Sequence, residues 1–121
     1  MIVNILLINT DDHLQNFAMI HTVDGWRLSP AYDIVPNLYQ PGQILQVNGK
    51  HEHIDAQDIV KEGQNIGFTK IKATAILSET VSRISNWESI FNATGVPAEH
   101  SGNLRVNIKK RFSIIMDYLE Y

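Results

Sequence analysis

Apolar positions recur along this chain in distinct rhythms, and each rhythm points to a different element. The chain opens on Ile2, Val3 and an unbroken apolar run from Ile5 to Ile8, which ends at Asn9. So short a run suits a buried helix and a buried strand equally, and periodicity alone leaves the choice open. From Phe17 to Leu28 the pattern turns to strand spacing around Asp24-Gly25, a pair that supports positive φ. It predicts two short strands in a tight hairpin. Asn48-Gly49, flanked by Leu45, Val47 and Ile54, predicts a second hairpin. Between them, residues 29–44 carry Pro30, Pro36, Pro41 and Gly42 and read as loop, with Pro36 disfavouring helix at Val35.

Beyond residue 54 the rhythm becomes helical. Asp55 is placed to cap a helix over 56–63, Gly67 marks a break, and Thr69 caps the next helix. Along residues 70–91, Ala73, Leu77, Val81, Ile84 and Phe91 recur at helical spacing, with Ile76, Trp87 and Ile90 widening the stripe. Gly95-Val96-Pro97 ends that helix and starts another, whose stripe is Leu104, Ile108, Phe112, Ile115 and Leu119. The expected fold class is α+β, mainly α, as one domain over residues 1–121.

An apolar fraction of 44% and a charged fraction of 19% suit a soluble globular chain. The net charge of −3 provides no basic footprint, so direct nucleic-acid binding is not expected. Arg105, Lys109, Lys110 and Arg111 are expected to form a solvated helix face. The absence of cysteine excludes disulfides and thiolate zinc sites and makes the cytoplasm the default compartment. The opening apolar run is too short to span a bilayer and lacks the flanks of a signal peptide, so no membrane role is expected.

The richest chemistry lies in Asn9-Thr10-Asp11-Asp12-His13-Leu14-Gln15-Asn16, followed after the first hairpin by Ser29-Pro30-Ala31-Tyr32-Asp33. An acid, an amide five positions on and a second acid from another segment follow the order of a phosphotransferase site. Its catalytic Asp lies near the hydroxyl to be phosphorylated, and the Asn and second Asp reach Mg²⁺. The hairpin would bring Asp33 back toward Asn16, as a shared metal site requires. Taken singly, Asp and Asn are also common turn and cap residues.

The segments "NTDDHLQNF" and "GWRLSPAYDIVPN" resemble the C-terminal lobe of HipA-like serine/threonine kinases, the toxin components of bacterial toxin–antitoxin pairs. The resemblance is dense over residues 3–36, and "LQVNGK" at 45–50 and the helical tail to about residue 118 also fit. It implies the helical lobe of a protein-kinase-like fold, with the opening run as the end of a helix and the hairpins near the active-site loop. It implies Asp11 as the catalytic acid and Asn16 and Asp33 as Mg²⁺ ligands. His13, Leu14, Gln15, Asn16, Tyr32 and Asp33 would face the nucleotide. The cofactors of the complete kinase would be Mg²⁺ and ATP, with none held tightly by this chain alone. Implied partners are an N-terminal nucleotide-binding lobe, an antitoxin-like protein and a protein substrate. Ile8 departs from the family, which commonly has Gly there, and a β-branched residue would crowd the turn into the catalytic loop.

No glycine-rich phosphate loop or strand-borne phosphate-gripping Lys is visible, so the chain is expected to begin midway through a kinase and to be inactive alone. The alternative is a non-catalytic module that binds a protein partner of a toxin–antitoxin system. A metal-dependent hydrolase built on Asp11, Asp12, His13 and Asp33 is a third reading, but lacks further ligands. Within the loop, Asp12 reads as a solvated or loop-bonding carboxylate and His13 as a structural hydrogen-bonding group. His51 and His53 would share one face of the second hairpin, an exposed arm with too few ligands for a metal.

Overall fold

The computed structural model describes residues 1–120. The opening apolar run is a short helix, α1 (Ile2–Leu6), with Ile5 and Leu6 buried. A single 3-10 turn at Leu14–Asn16 leads to the antiparallel strands β1 (Met19–Thr22) and β2 (Gly25–Leu28). Four helices follow the long loop: α2 (Ala56–Asn65), α3 (Lys70–Ile84), α4 (Trp87–Ala93) and α5 (Ala98–Leu119). The fold is α+β and mainly α, with its small sheet beside the candidate catalytic loop.

The first hairpin forms in the register Met19↔Leu28, Ile20↔Arg27, His21↔Trp26 and Thr22↔Gly25. Gly25, at φ 104°, takes the conformation that a side chain would resist. The second hairpin is reduced to its turn. Asn48 and Gly49 both adopt positive φ, at 52° and 76°, but only Val47 and Lys50 pair across them. The flanks do not extend into strands because α2 captures the turn. Glu62 accepts the Asn48 backbone N–H at 2.8 Å, and Asp58 accepts Asn48 Nδ2 at 2.9 Å and Lys50 Nζ at 2.8 Å.

Asp58 has a second task. Its side chain accepts the Asp55 N–H while Asp55 accepts the Asp58 N–H, a reciprocal capping box that satisfies the free donors at the start of α2. Thr69 caps α3 by accepting the Lys72 N–H at 3.2 Å. The helix expected over residues 70–91 is two helices. Ser85 turns its hydroxyl back onto the Ser82 carbonyl at 2.8 Å, and Asn86 leaves helical geometry. Short polar side chains compete with the helix in this way. The reset lets Trp87 enter a second cluster, where it meets Phe91 edge-on and stacks on Phe112.

The main core joins Leu6, Val47, Ile54, Ile59, Val60, Leu77, Val81 and Ile115, while the smaller cluster is Ile8, Trp87 and Ile108. Phe112 packs against both. Gly63 lets α2 approach α3 closely, since a Cβ there would lie 2.8 Å from that of Ala73. Arg105 departs from the expected solvated face. With its side chain 11% exposed, it donates to Ser101 Oγ, Asn92 Oδ1 and the Val96 carbonyl and lies over the Phe91 ring, tying α5 to the end of α4. Lys109 pairs with Glu88 at 2.8 Å.

One hydrogen-bond pattern closes α1, α2 and α4. The residue after the C-cap donates to the second carbonyl from the helix end, and the next residue to the third. Gly67 and Gly95 occupy the left-handed position in α2 and α4, at φ 103° and 73°. In α1 that position falls to Ile8, at φ 59°, with Ile8 N–H on the Ile5 carbonyl and Asn9 N–H on the Asn4 carbonyl. A β-branched residue there carries strain on the order of 1–2 kcal/mol. Burial of its side chain against Trp87 and Ile108 offsets it.

Ile8→Gly and Ile8→Ala are both expected to be less stable than the parent, but the glycine variant should be the more stable of the two by about 1 kcal/mol, because Ala keeps the backbone strain. Urea midpoints would test this, and the order normal inside helices, Ala above Gly, would contradict the strained cap. A second expectation concerns acid. Burial pushes the Asp58 carboxyl up, but hydrogen bonds from Lys50, Asn48 and the Asp55 backbone outweigh it and leave the group below its ordinary value. A carboxyl depressed in the folded state stabilises above its unfolded value, about 3.9, and that contribution disappears as pH falls through the folded value. The stability gap between the parent and Asp58→Asn should therefore be full near neutrality and close below about pH 4; a gap unchanged by acid would refute it.

Candidate functional site

The segment between α1 and the 3-10 turn has no regular structure, yet Asn9, Thr10 and Asp12 are buried. Its backbone carbonyls must find partners outside a helix or sheet. They do so residue by residue. The Ile8 carbonyl accepts the Asn37 N–H at 2.9 Å, and the Asn9 carbonyl accepts Gln43 Nε2 at 3.1 Å. The Thr10 carbonyl accepts Gln40 Nε2 at 3.4 Å, and the Asp11 carbonyl accepts Asn16 Nδ2 at 2.8 Å. Asp12 contributes its side chain: Oδ1 accepts the Ile44 and Leu45 N–H groups at 2.7 and 3.1 Å, and Oδ2 accepts Gln43 Nε2 at 3.1 Å.

Asn16, five positions on, closes the loop onto Asp11. With its nitrogen spent on the Asp11 carbonyl, the amide keeps Oδ1 as its acceptor end, the end a hard cation requires. The segment bearing Asp33 is fastened alongside at two points. Tyr32 donates its hydroxyl to the Gln15 carbonyl at 2.8 Å, and Asn9 Nδ2 donates to the Asp33 carbonyl at 3.4 Å. Asp33 adopts φ 54°, a turn conformation that Asp tolerates better than most residues. It caps no helix.

The Asp11 carboxylate is about half exposed, and its Oδ1 lies 3.5 Å from His13 Nε2. The other ring nitrogen of His13 is buried without a partner, as are Asn9 Oδ1 and Thr10 Oγ1. Leu14 and Gln15 are exposed. A cavity of about 280 Å³ lies beside the loop, lined by Asn4, Asn9, Asn16, Phe17, Leu28 and Tyr32 among others. Asp11 and Asp33 do not line it. The fold thus brings the two segments together through backbone and amide bonds, with both carboxylates outside this cavity.

Among the described residues no group of three or more His, Asp or Glu side chains is placed to hold a metal ion. This removes the hydrolase set of Asp11, Asp12, His13 and Asp33, since Asp12 is turned inward and saturated by residues 43–45. His51 and His53 share no strand; His51 bonds the Gln43 carbonyl and Gln46, while His53 is almost fully exposed. Among the described residues no helix is long and apolar enough to cross a membrane.

Sequence reading missed the residues that hold the loop, Asn37, Gln40 and Gln43. They lie in a stretch legible only as irregular chain, and single amides at a separation of thirty residues or so produce no spacing pattern.

The sequence profile of the HipA-like C-terminal domain matches residues 1–88. Among curated proteins nothing matches the chain. A solved structure, HipA in the Shewanella oneidensis MR-1 toxin–antitoxin complex of HipA, HipB and operator DNA, is similar with a TM-score of 0.82 and 16% sequence identity. The match covers 98% of this chain and 30% of that one, so the chain spans under a third of its structural relative. The profile match covers most of the length, and the chain belongs to the HipA-like C-terminal domain family.

Proposed function

We propose that this chain is the active-site lobe of a protein serine/threonine kinase, contributing the catalytic acid and the metal ligands for phosphoryl transfer from ATP to a protein hydroxyl. The observation that carries the reading is the bond from Asn16 Nδ2 to the Asp11 carbonyl, which fixes the loop and leaves Asn16 Oδ1 for a cation. The Tyr32–Gln15 and Asn9–Asp33 bonds support it by holding the segment that carries the second acid beside the loop.

In this reading Asp11 orients the substrate hydroxyl and takes its proton as the oxygen attacks the transferred phosphoryl group. Its exposure and the freedom of its carboxylate from backbone bonds suit that role. Asn16 and Asp33 offer oxygen ligands only, which fits Mg²⁺, an ion commonly held by one or two protein groups with substrate phosphates completing its shell. When bound, the ion neutralises charge developing on the phosphates. His13, Leu14, Gln15 and Tyr32 border the nucleotide. The nucleotide-binding elements belong to a separate lobe, and an antitoxin-like protein is the regulatory partner.

A second reading, a non-catalytic module that docks a protein, is favoured by the exposed apolar face of the hairpin. Met19, Trp26 and Leu28 are 54, 70 and 60% exposed and share one side of the ribbon. Nucleotide separates the two readings. Joined to a nucleotide-binding lobe, Asp11→Asn should lower single-turnover phosphotransfer by roughly a hundredfold to ten-thousandfold with nucleotide affinity nearly intact, whereas Asp33→Ala should weaken Mg²⁺-dependent ATP binding. Full turnover in Asp11→Asn would defeat the kinase reading. The 121-residue chain alone is expected to fold yet transfer no phosphate, because phosphoryl transfer depends on positioning that one lobe cannot supply. Micromolar ATP affinity by calorimetry, or radiolabel incorporation, would overturn that.

A further inference from the structure

Asp11 and Asp12 are adjacent acids with opposite surroundings. The Asp11 side chain is 55% exposed, whereas Asp12 is 2% exposed and accepts three hydrogen bonds, all from residues 43–45. A buried carboxylate is costly unless its oxygens are satisfied, so these donors and the acid specify one another. Gln43 completes the clamp, since its Nε2 donates to both Asp12 and the Asn9 carbonyl.

Gln43 is itself held in place. Its N–H donates to the His51 carbonyl, and its own carbonyl meets His51 Nδ1, each at 2.8 Å. Gln46 Nε2 donates to His51 Nε2 at 3.0 Å, which makes Nδ1 the protonated ring nitrogen. His51, through its two bonds to Gln43, thus braces the clamp on Asp12. Pinning the Asp12 carboxylate inward fixes the direction in which the preceding residue leaves the turn.

We propose that Asp12, gripped by Gln43, is the positioning residue of this site: it touches neither substrate nor metal and acts by setting the Asp11–Asn16 loop. The proposal rests on the kinase reading above. In that role an Asp12 substitution disturbs the loop and its metal ligands far more than it disturbs the helical core.

The test uses the 121-residue chain with Asp12→Asn, Gln43→Met, their double variant, and Asp58→Asn as a control, since Asp58 is a buried acid whose bonds run to Asn48, Lys50 and Asp55 and not to residues 9–16 or 43–45. Amide exchange is followed at residues 9–16 and in α3, and Mn²⁺ is the paramagnetic probe of Asn16 and Asp33, with Glu79 and Asp117 as exposed acids for comparison. In the parent, Mn²⁺ should broaden Asn16 and Asp33 preferentially. Asp12→Asn and Gln43→Met should each speed loop exchange by roughly tenfold or more while α3 is unchanged, and abolish the preferential broadening. The double variant should be no worse than the worse single, because both remove one network. Asp58→Asn should lower Tm and leave both loop readouts as in the parent. Parent-like exchange and broadening in Asp12→Asn, or the same losses in Asp58→Asn, would overturn the proposal. A parent without preferential broadening would defeat the metal reading; faster exchange in Asp12→Asn alone would then mark a purely structural clamp and end the positioning role.

Discussion

An irregular segment can be buried only if its backbone polar groups find partners, and this constraint governs the chain around the buried residues Ile8, Asn9, Thr10 and Asp12. In the loop that carries Asp11, Asn9, Thr10 and Asp12 lie beneath the surface with no helix or sheet to satisfy them. Its carbonyls instead accept, one after another, from the Asn37 backbone N–H and from the side-chain amides of Gln43, Gln40 and Asn16. The proline-bearing stretch that looks like mere connection is therefore the scaffold of the loop. The loop is held without regular structure by three side-chain amides together with the backbone N–H groups of Asn37, Ile44 and Leu45.

The elements that follow from local rules were legible in the sequence. Asp55, Thr69 and the glycines at 67 and 95 mark helix ends by chemistry confined to a few neighbours, and the stripe from Leu104 to Leu119 names the buried face of the last helix. The elements that failed depend on distant partners. Asn48-Gly49 carries the signal for a hairpin, but Asp58 and Glu62 decide that the turn docks on a helix instead of extending a ribbon. The division at Ser85 and Asn86 is equally non-local in its benefit, since it serves Trp87's place beside Ile8 and Ile108. Arg105 was misjudged for the same reason: a basic residue in a charged run has no way of announcing a ring and a helix end waiting beneath it.

The candidate site divides along the same line. Spacing identified the Asp11–Asn16 pair because the bond between them closes within five residues. The approach of Tyr32 to Gln15 needs the hairpin to form and return, and the fold supplies that return. Asp12 read as a loop-bonding or solvated acid; only the tertiary partners at 43–45 distinguish the two.

Phe112 sits against both apolar clusters, and its helix contributes Ile108 to one and Ile115 to the other. That helix lies wholly beyond residue 88, where the family's recognisable sequence ends. The profile match thus stops short of the helix that supplies the keystone of the interior, although the structural likeness covers 98% of the chain. Apolar volume at a helical stripe can be met by many residues, whereas a loop built from specific amide bonds admits few substitutes. The stretch that the profile matches is therefore shorter than the unit whose side chains must pack together.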